Sequence, residues 1–143
     1  MREAFESMRR EKWGKLDALT EPWTQRCPVD LDAHMLRAIA LEQSGRAEEG
    51  GDHPVCVRGL FEAVLATGDG KTPAAAYQVN SAFEEYSMLR LFGSEPKQQA
   101  LADGGIDAMT VVAESGEQRT VYFDPAASFE RMRRAFEAER PRE

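Results

Sequence analysis

Apolar residues recur every three or four positions through the first half of the chain, and every two positions through much of the second. The first spacing marks a helix with one buried face, the second a strand. Phe5, Met8, Trp13, Leu16 and Leu19 fall loosely on one face and predict a helix over about 2–19. Glu21-Pro22 is expected to end it, because proline disfavours a helical residue before it. A second helix is predicted over about 30–44. Asp30 is a good N-cap, Leu31, Met35, Ala38 and Ile39 follow at helical spacing, and Ser44-Gly45 closes it. Val57, Leu60, Phe61, Val64 and Leu65 give the best helical template in the chain, with Asp52 as a cap and Pro54 in the first turn. Gly59 inside that template predicts close approach of a neighbouring backbone. Gly68-Asp69-Gly70 ends the helix in a tight loop.

After Pro73 the spacing changes. Tyr77, Val79, Ser81 and Phe83 alternate with smaller or polar residues and predict a strand over about 75–83, with helix as the alternative for so alanine-rich a stretch. Residues 86–92 read as a second strand or a short helix. Lys97–Leu101 reads as a strand, with a turn at Asp103-Gly104-Gly105. Met109–Val112 and Thr120–Phe123 predict a hairpin around Ser115-Gly116. Asp124-Pro125 then opens a last helix over about 126–139, with Phe129, Met132 and Phe136 on one face, and Arg140–Glu143 is expected to fray. The order predicts an α+β fold in a single domain: helices over 1–67, a small antiparallel β-meander over 73–124 and a C-terminal helix over 125–139.

Charge narrows the partner classes. The 143 residues carry 18 Lys and Arg against 25 Asp and Glu, a formal net charge of −7. Residues 45–124 hold 13 acidic and 6 basic residues, while the flanking segments are close to balanced. An acidic balance argues against nucleic acid and against an anionic membrane surface. No apolar run reaches the roughly 18 residues of a spanning helix, and the first residues lack the apolar stretch of an export signal. The expectation is a cytoplasmic protein with Cys27 and Cys56 reduced.

Pro28-Val29-Asp30-Leu31 with Leu41 and Gly45, and small Ala33, Ala38 and Ala40, looks like a tetratricopeptide-type helix pair. Gly59–Leu65, Thr67–Thr72, Ala76–Val79, Glu84-Glu85-Tyr86, Gln99-Ala100-Leu101, Asp107 and Val121–Asp124 carry a longer likeness. Together they resemble the bacterial domain of unknown function 4919. That resemblance implies tetratricopeptide-like helices followed by a C-terminal β region, and it implies no established activity.

Two motifs concentrate polar chemistry. Gly68–Thr72 invites comparison with a phosphate-binding loop, but that loop needs a glycine five residues before Gly70, where Leu65 stands, and a preceding strand. The alternatives are a turn in which Asp69 bonds its own backbone and a small-anion contact by Lys71 and Thr72. Glu84-Glu85-Tyr86 is the second. On a strand its two carboxylates face opposite sides, and on a helix they diverge, so paired acid–base catalysis is disfavoured. His34 and His53 would bind metal only by converging with a carboxylate such as Asp52 or Glu84. A nucleophile pair, Cys27 with His34 or Cys56 with His53, is a further possibility. Trp13 and Trp23 are expected to pack the first helix onto the domain.

The leading expectation is a non-enzymatic interaction module that binds another protein through an acidic sheet-and-loop surface, with no cofactor or metal. Its binding residues would be Asp69, Lys71, Thr72, Glu84, Glu85, Tyr86 and Asp107. Two alternatives stand beside it. One is an immunity or antitoxin-like inhibitor of a basic effector. The other is a hydrolase- or transferase-like enzyme, which requires at least three of Asp69, Lys71, Glu84, Glu85 and Tyr86 to share one pocket.

Overall fold

The N-terminal apolar stripe folds as two helices where the spacing predicted one. In the computed structural model, which describes residues 1–138, α1 runs Arg2–Arg9 and α2 runs Trp13–Arg26. Glu11 between them takes a left-handed backbone with φ of 54°, a conformation that reverses the chain in three residues. Pro22 does not end α2 as expected. It sits inside the helix, where it withholds one backbone N–H. Packing beyond the proline outweighs that loss. Trp23 lies against the core of this half and its indole N–H donates to Asp30 Oδ2 at 3.1 Å.

The second helix agrees with its sequence signals. α3 runs Leu31–Gln43, and Asp30 accepts from the Ala33 amide at 3.0 Å as its N-cap. A short 3₁₀ turn at Ala47–Gly50 leads to α4, His53–Leu65. Ala4, Leu16, Met35, Leu36 and Ala40 form the buried centre of the first half, ringed by Phe5, Met8, Trp13, Leu19, Trp23, Ile39 and Val57. The two tryptophans thus serve the packing role expected of them. Asp17 sits at the hub of an ion-pair network, 3.1 Å from Arg37 and 2.8 Å from Arg46. No backbone crowds Gly59, contrary to expectation: a Cβ there would meet nothing within 4 Å. The crowding lies at Gly68, where a Cβ would stand 2.3 Å from the Ala75 carbonyl, and at Gly70, where φ is +65° and a Cβ would stand 2.3 Å from the Tyr77 ring.

The chain divides into two compact units, Met1–Glu62 and Ala63–Glu143. In the second, the predicted strand over 75–83 shrinks to β1, Tyr77–Gln78, and residues 82–91 form helix α5, Ala82–Leu91. The reason is a capping box. Ser81 Oγ accepts from the Glu84 amide at 3.1 Å, and the Glu84 carboxylate turns back to accept from the Asn80 amide at 2.5 Å. One donor of the first turn, the Glu84 amide, and one just before the cap, the Asn80 amide, are satisfied locally, which favours helix over the competing alternation.

Strands β2 (Ser94–Ala102), β3 (Ile106–Ala113) and β4 (Gln118–Asp124) pair antiparallel in sequence order. Gly116, at φ +84°, closes the β3–β4 turn and donates to the Ala113 carbonyl at 2.8 Å. The sheet is not wholly antiparallel as expected: β1 lies parallel to β4, with Tyr77 beside Phe123, in the order β1-β4-β3-β2. Met109, Val111, Val121 and Phe123 line its buried face, and Met88 and Leu89 are the buried apolar residues of α5. Helix α6 follows over Ala126–Ala138, with Asp124 Oδ1 accepting from the Ala126 amide at 2.9 Å. The side chains of Met132 and Phe136, and the expected fraying of Arg140–Glu143, lie outside what is described. The fold is α+β.

Candidate functional site

Three of the seven residues singled out by sequence come together where α5 crosses β2 and β3. Helical phase decides which. Glu84, Glu85, Met88 and Leu89 are buried on α5, whereas Tyr86 and Arg90 are exposed. The Tyr86 hydroxyl donates to Gln99 Oε1 at 3.1 Å, and Gln99 Nε2 donates to Asp107 Oδ1 at 3.1 Å. Asp107 and Gln99 reach the same face because they lie two residues off register on paired strands, as diagonal neighbours: Leu101 pairs with Asp107 and Gln99 with Met109.

Beneath this polar chain lies Glu85, fully buried, with no hydrogen-bond partner aligned to either carboxylate oxygen among the described residues. Burial, and then the nearby Asp107 charge, push its pKa up to about 8. Both causes disfavour the anion, so at neutral pH Glu85 is a carboxylic acid. Asp107 is tied to Gln99 and is partly exposed. The arrangement is an asymmetric carboxyl pair, one member neutral and buried and the other in contact with a surface network.

Next to Tyr86, a groove of about 360 Å³ runs between α5 and the start of β2. Tyr86, Arg90, Gly93, Ser94, Glu95, Pro96 and Glu114 line it. Ser94 is 7% exposed and its Oγ has no hydrogen-bond partner among the described residues. Beyond the groove, β2 continues as an outer strand of the sheet. Residues 95–101 are all exposed, and Leu101 is 75% exposed. Pro96 and a bulge between Pro96 and Gln98 interrupt the first part of the strand. Ser94 and Arg90 carried no motif of their own, and Gln99 stood only within the family likeness. The Ser81-x-x-Glu84 box was the signal that could have placed them, because it fixes the helix whose exposed face they meet.

The other four residues go elsewhere. Asp69 Oδ1 accepts from the Lys71 amide at 2.9 Å, closing a turn on its own backbone. The Asp69 and Gly70 amides both donate to the Ala75 carbonyl, and the Gly70 carbonyl accepts from Tyr122 on β4 at 2.9 Å. Thr72 Oγ1 accepts from the Ala75 amide. The Gly68–Thr72 segment is therefore a folded turn in which the Asp69 and Gly70 amides are taken by Ala75 and the Lys71 amide by Asp69; Lys71 is exposed beside it. Glu84 serves the α5 cap. Of the five residues that the enzyme reading gathers, Tyr86 alone lines the groove.

The two histidines do meet. His34 Nδ1 lies 2.8 Å from His53 Nδ1. No group of three or more His, Cys, Asp or Glu side chains is arranged to hold a metal ion among the described residues. Cys27 and Cys56 are free thiols, and no helix among the described residues is long and apolar enough to cross a membrane.

Comparison with known proteins gives one family. No curated protein and no solved structure matched the chain. The model of the domain of unknown function DUF4919 matches residues 3–134, nearly the whole length that carries α1 through the first turns of α6. The chain belongs to the DUF4919 family.

Proposed function

We propose that this protein is an interaction module that takes up an extended segment of a partner protein along the outer edge of β2. The observation that carries this reading is the edge itself. Among the described residues, β2 is a nine-residue strand paired on one side only, by β3, and its exposed stretch at residues 95–101 offers backbone donors and acceptors to a further strand. The groove beside Tyr86 and Arg90 gives alternate side chains of such a segment a place to sit. Residues 98–102 contain neither charge nor proline, so nothing in that half blocks pairing. The helix pair of the first unit, read as tetratricopeptide-like, suits the same role.

An acidic balance of 13 against 6 over residues 45–124 favours a basic partner. The inhibitor of a basic effector is a special case of the same module. Asp103 and Glu114 are exposed on this unit, and their neutralisation together with Asp107 would flatten the salt dependence of binding.

A peptide-display selection against the folded protein tests the reading. Selected ligands should be extended and rich in Lys or Arg, and should slow amide exchange in β2. Proline placed at Gln98 and at Ala100 in separate variants should weaken them at least tenfold in one variant. Ligands that protect the Gly68–Thr72 turn or the β3–β4 turn while leaving β2 amides unchanged would overturn the proposal.

A further inference from the structure

The contact between His34 and His53 fixes more than a packing detail. His34 is buried, at 5% exposure, and its Nε2 lies 2.9 Å from the Pro28 carbonyl oxygen. A carbonyl oxygen only accepts, so His34 Nε2 must carry the proton. In neutral His34 that leaves Nδ1 as an acceptor, and the atom facing it at 2.8 Å is His53 Nδ1. His53 must then be the Nδ1–H tautomer. Its Nε2 is left basic, and among the described residues it has no hydrogen-bond partner. The two rings are tilted by 49° with centroids 5.0 Å apart.

Proton counting follows. One added proton enters at His53 Nε2, and the contact survives, because a single N–H still lies between the two Nδ1 atoms whichever ring bears the charge. A second added proton places an N–H on both Nδ1 atoms. Two donors cannot share 2.8 Å, so the contact must open.

We propose that His34 and His53 form a proton-counted latch that fastens the first turn of α4 to α3 and to the Pro28 turn, and that opens on acidification. The charged groups around it oppose one another. Asp52, just before α4, and Asp17 on α2 favour a cation on His53, while Arg37 on α3 and His34 itself disfavour it. Arg37 is in turn paired to Asp17 and Glu21. Burial is the largest influence on His53 and holds its proton affinity below the ordinary imidazole range. His53 is therefore held toward its neutral form, in which the contact is closed.

The test uses the intact protein labelled with ¹⁵N at histidine. At pH 7.5, long-range proton–nitrogen spectra should show His34 as the Nε2–H tautomer and His53 as the Nδ1–H tautomer. Between pH 7.5 and 5, exchange of the Cys56 and Val57 amides, corrected for intrinsic rates, should speed up at least tenfold. His53→Gln keeps an amide donor for His34 Nδ1 without a titrating ring, and should lose most of that acceleration. Two Nε2–H tautomers at pH 7.5 would overturn the latch. So would an exchange rate that does not change with pH, or one that changes equally in His53→Gln.

Discussion

Glu85 on α5 and Asp107 on β3 share one corner of the second unit, and Glu85 keeps its proton there at neutral pH. Glu85 is the buried member, held as the acid by burial and by the Asp107 charge. The geometry has a direct consequence for stability. The unfolded chain ionises Glu85 near 4.5, whereas the folded chain holds the proton until about 8. The folded state therefore binds more protons across that interval, and stability falls as pH rises from about 4.5 to 8. Glu85→Gln keeps the shape and removes the titration. It should stabilise the protein at pH 7.5 by about 1–3 kcal/mol, on the order expected for relieving a buried ionisable group. The gain should shrink toward pH 5. Urea midpoints at pH 5, 6, 7 and 8 for both proteins check this, and parallel curves would refute it.

Gly68 and Gly70 should tolerate alanine poorly, while Gly59 should welcome it. A methyl group at Gly68 runs into the Ala75 carbonyl, and one at Gly70 runs into the Tyr77 ring from a left-handed backbone. Each substitution is expected to cost about 2–4 kcal/mol, the range for strain and overpacking combined. Gly59 lies in open space inside α4, so Gly59→Ala should stabilise by about 0.5–1 kcal/mol through the unfolded chain. Thermal and urea denaturation of the three variants give the ranking.

The two side-chain caps should differ in weight. Ser81→Ala removes one acceptor from the first turn of α5 and should cost about 1 kcal/mol. Asp30 accepts from both the Ala33 amide and the Trp23 indole, so Asp30→Ala should cost roughly 2 kcal/mol as two bonds are lost. Trp23 fluorescence should also shift in Asp30→Ala and stay unchanged in Ser81→Ala. Equal losses would mean that the indole bond contributes nothing.

Tyr86→Phe isolates the surface end of the Tyr86–Gln99–Asp107 chain. It should cost less than about 1 kcal/mol, as an exposed hydrogen bond is lost to water. The Gln99 side-chain amide resonances should move, since Oε1 loses its donor while Nε2 keeps Asp107. Unmoved resonances would show that the hydroxyl bond is absent in solution.

Local chemistry made some elements legible from sequence and left others hidden. Asp30, Ser115-Gly116 and Asp103-Gly104-Gly105 each enforce one backbone outcome, and α3 and the β2–β3–β4 meander follow from them. Residues 77–83 offered strand alternation, yet the Ser81–Glu84 box lay inside the same stretch and satisfied the backbone first. Pro22 was a fair signal overridden by Trp23, whose burial and indole bond no local rule could weigh. For the candidate site, Glu85 and Tyr86 were visible as polar residues in a tight motif, and Asp107 through the family likeness. Their division into a buried acid, a groove wall and a surface carboxylate was not, because it depends on the phase of α5 against the sheet. The turn in which Asp69 bonds its own backbone was legible from Gly68-Asp69-Gly70, whereas the Thr72 cap on Ala75 was not.

The parallel pairing of β1 with β4 also bears on the order of assembly. Tyr77 finds Phe123 only after α5, β2 and β3 have been laid down between them. Neighbouring strands β3 and β4 close a short loop, whereas β1 must close a long one for the sake of two residues. Loop-closure entropy places that step last. The β1–β4 junction is thus expected to be a seam: the Val79 and Tyr122 amides, which bond across it to Asp124 and Gly70, should exchange faster than the β3–β4 ladder.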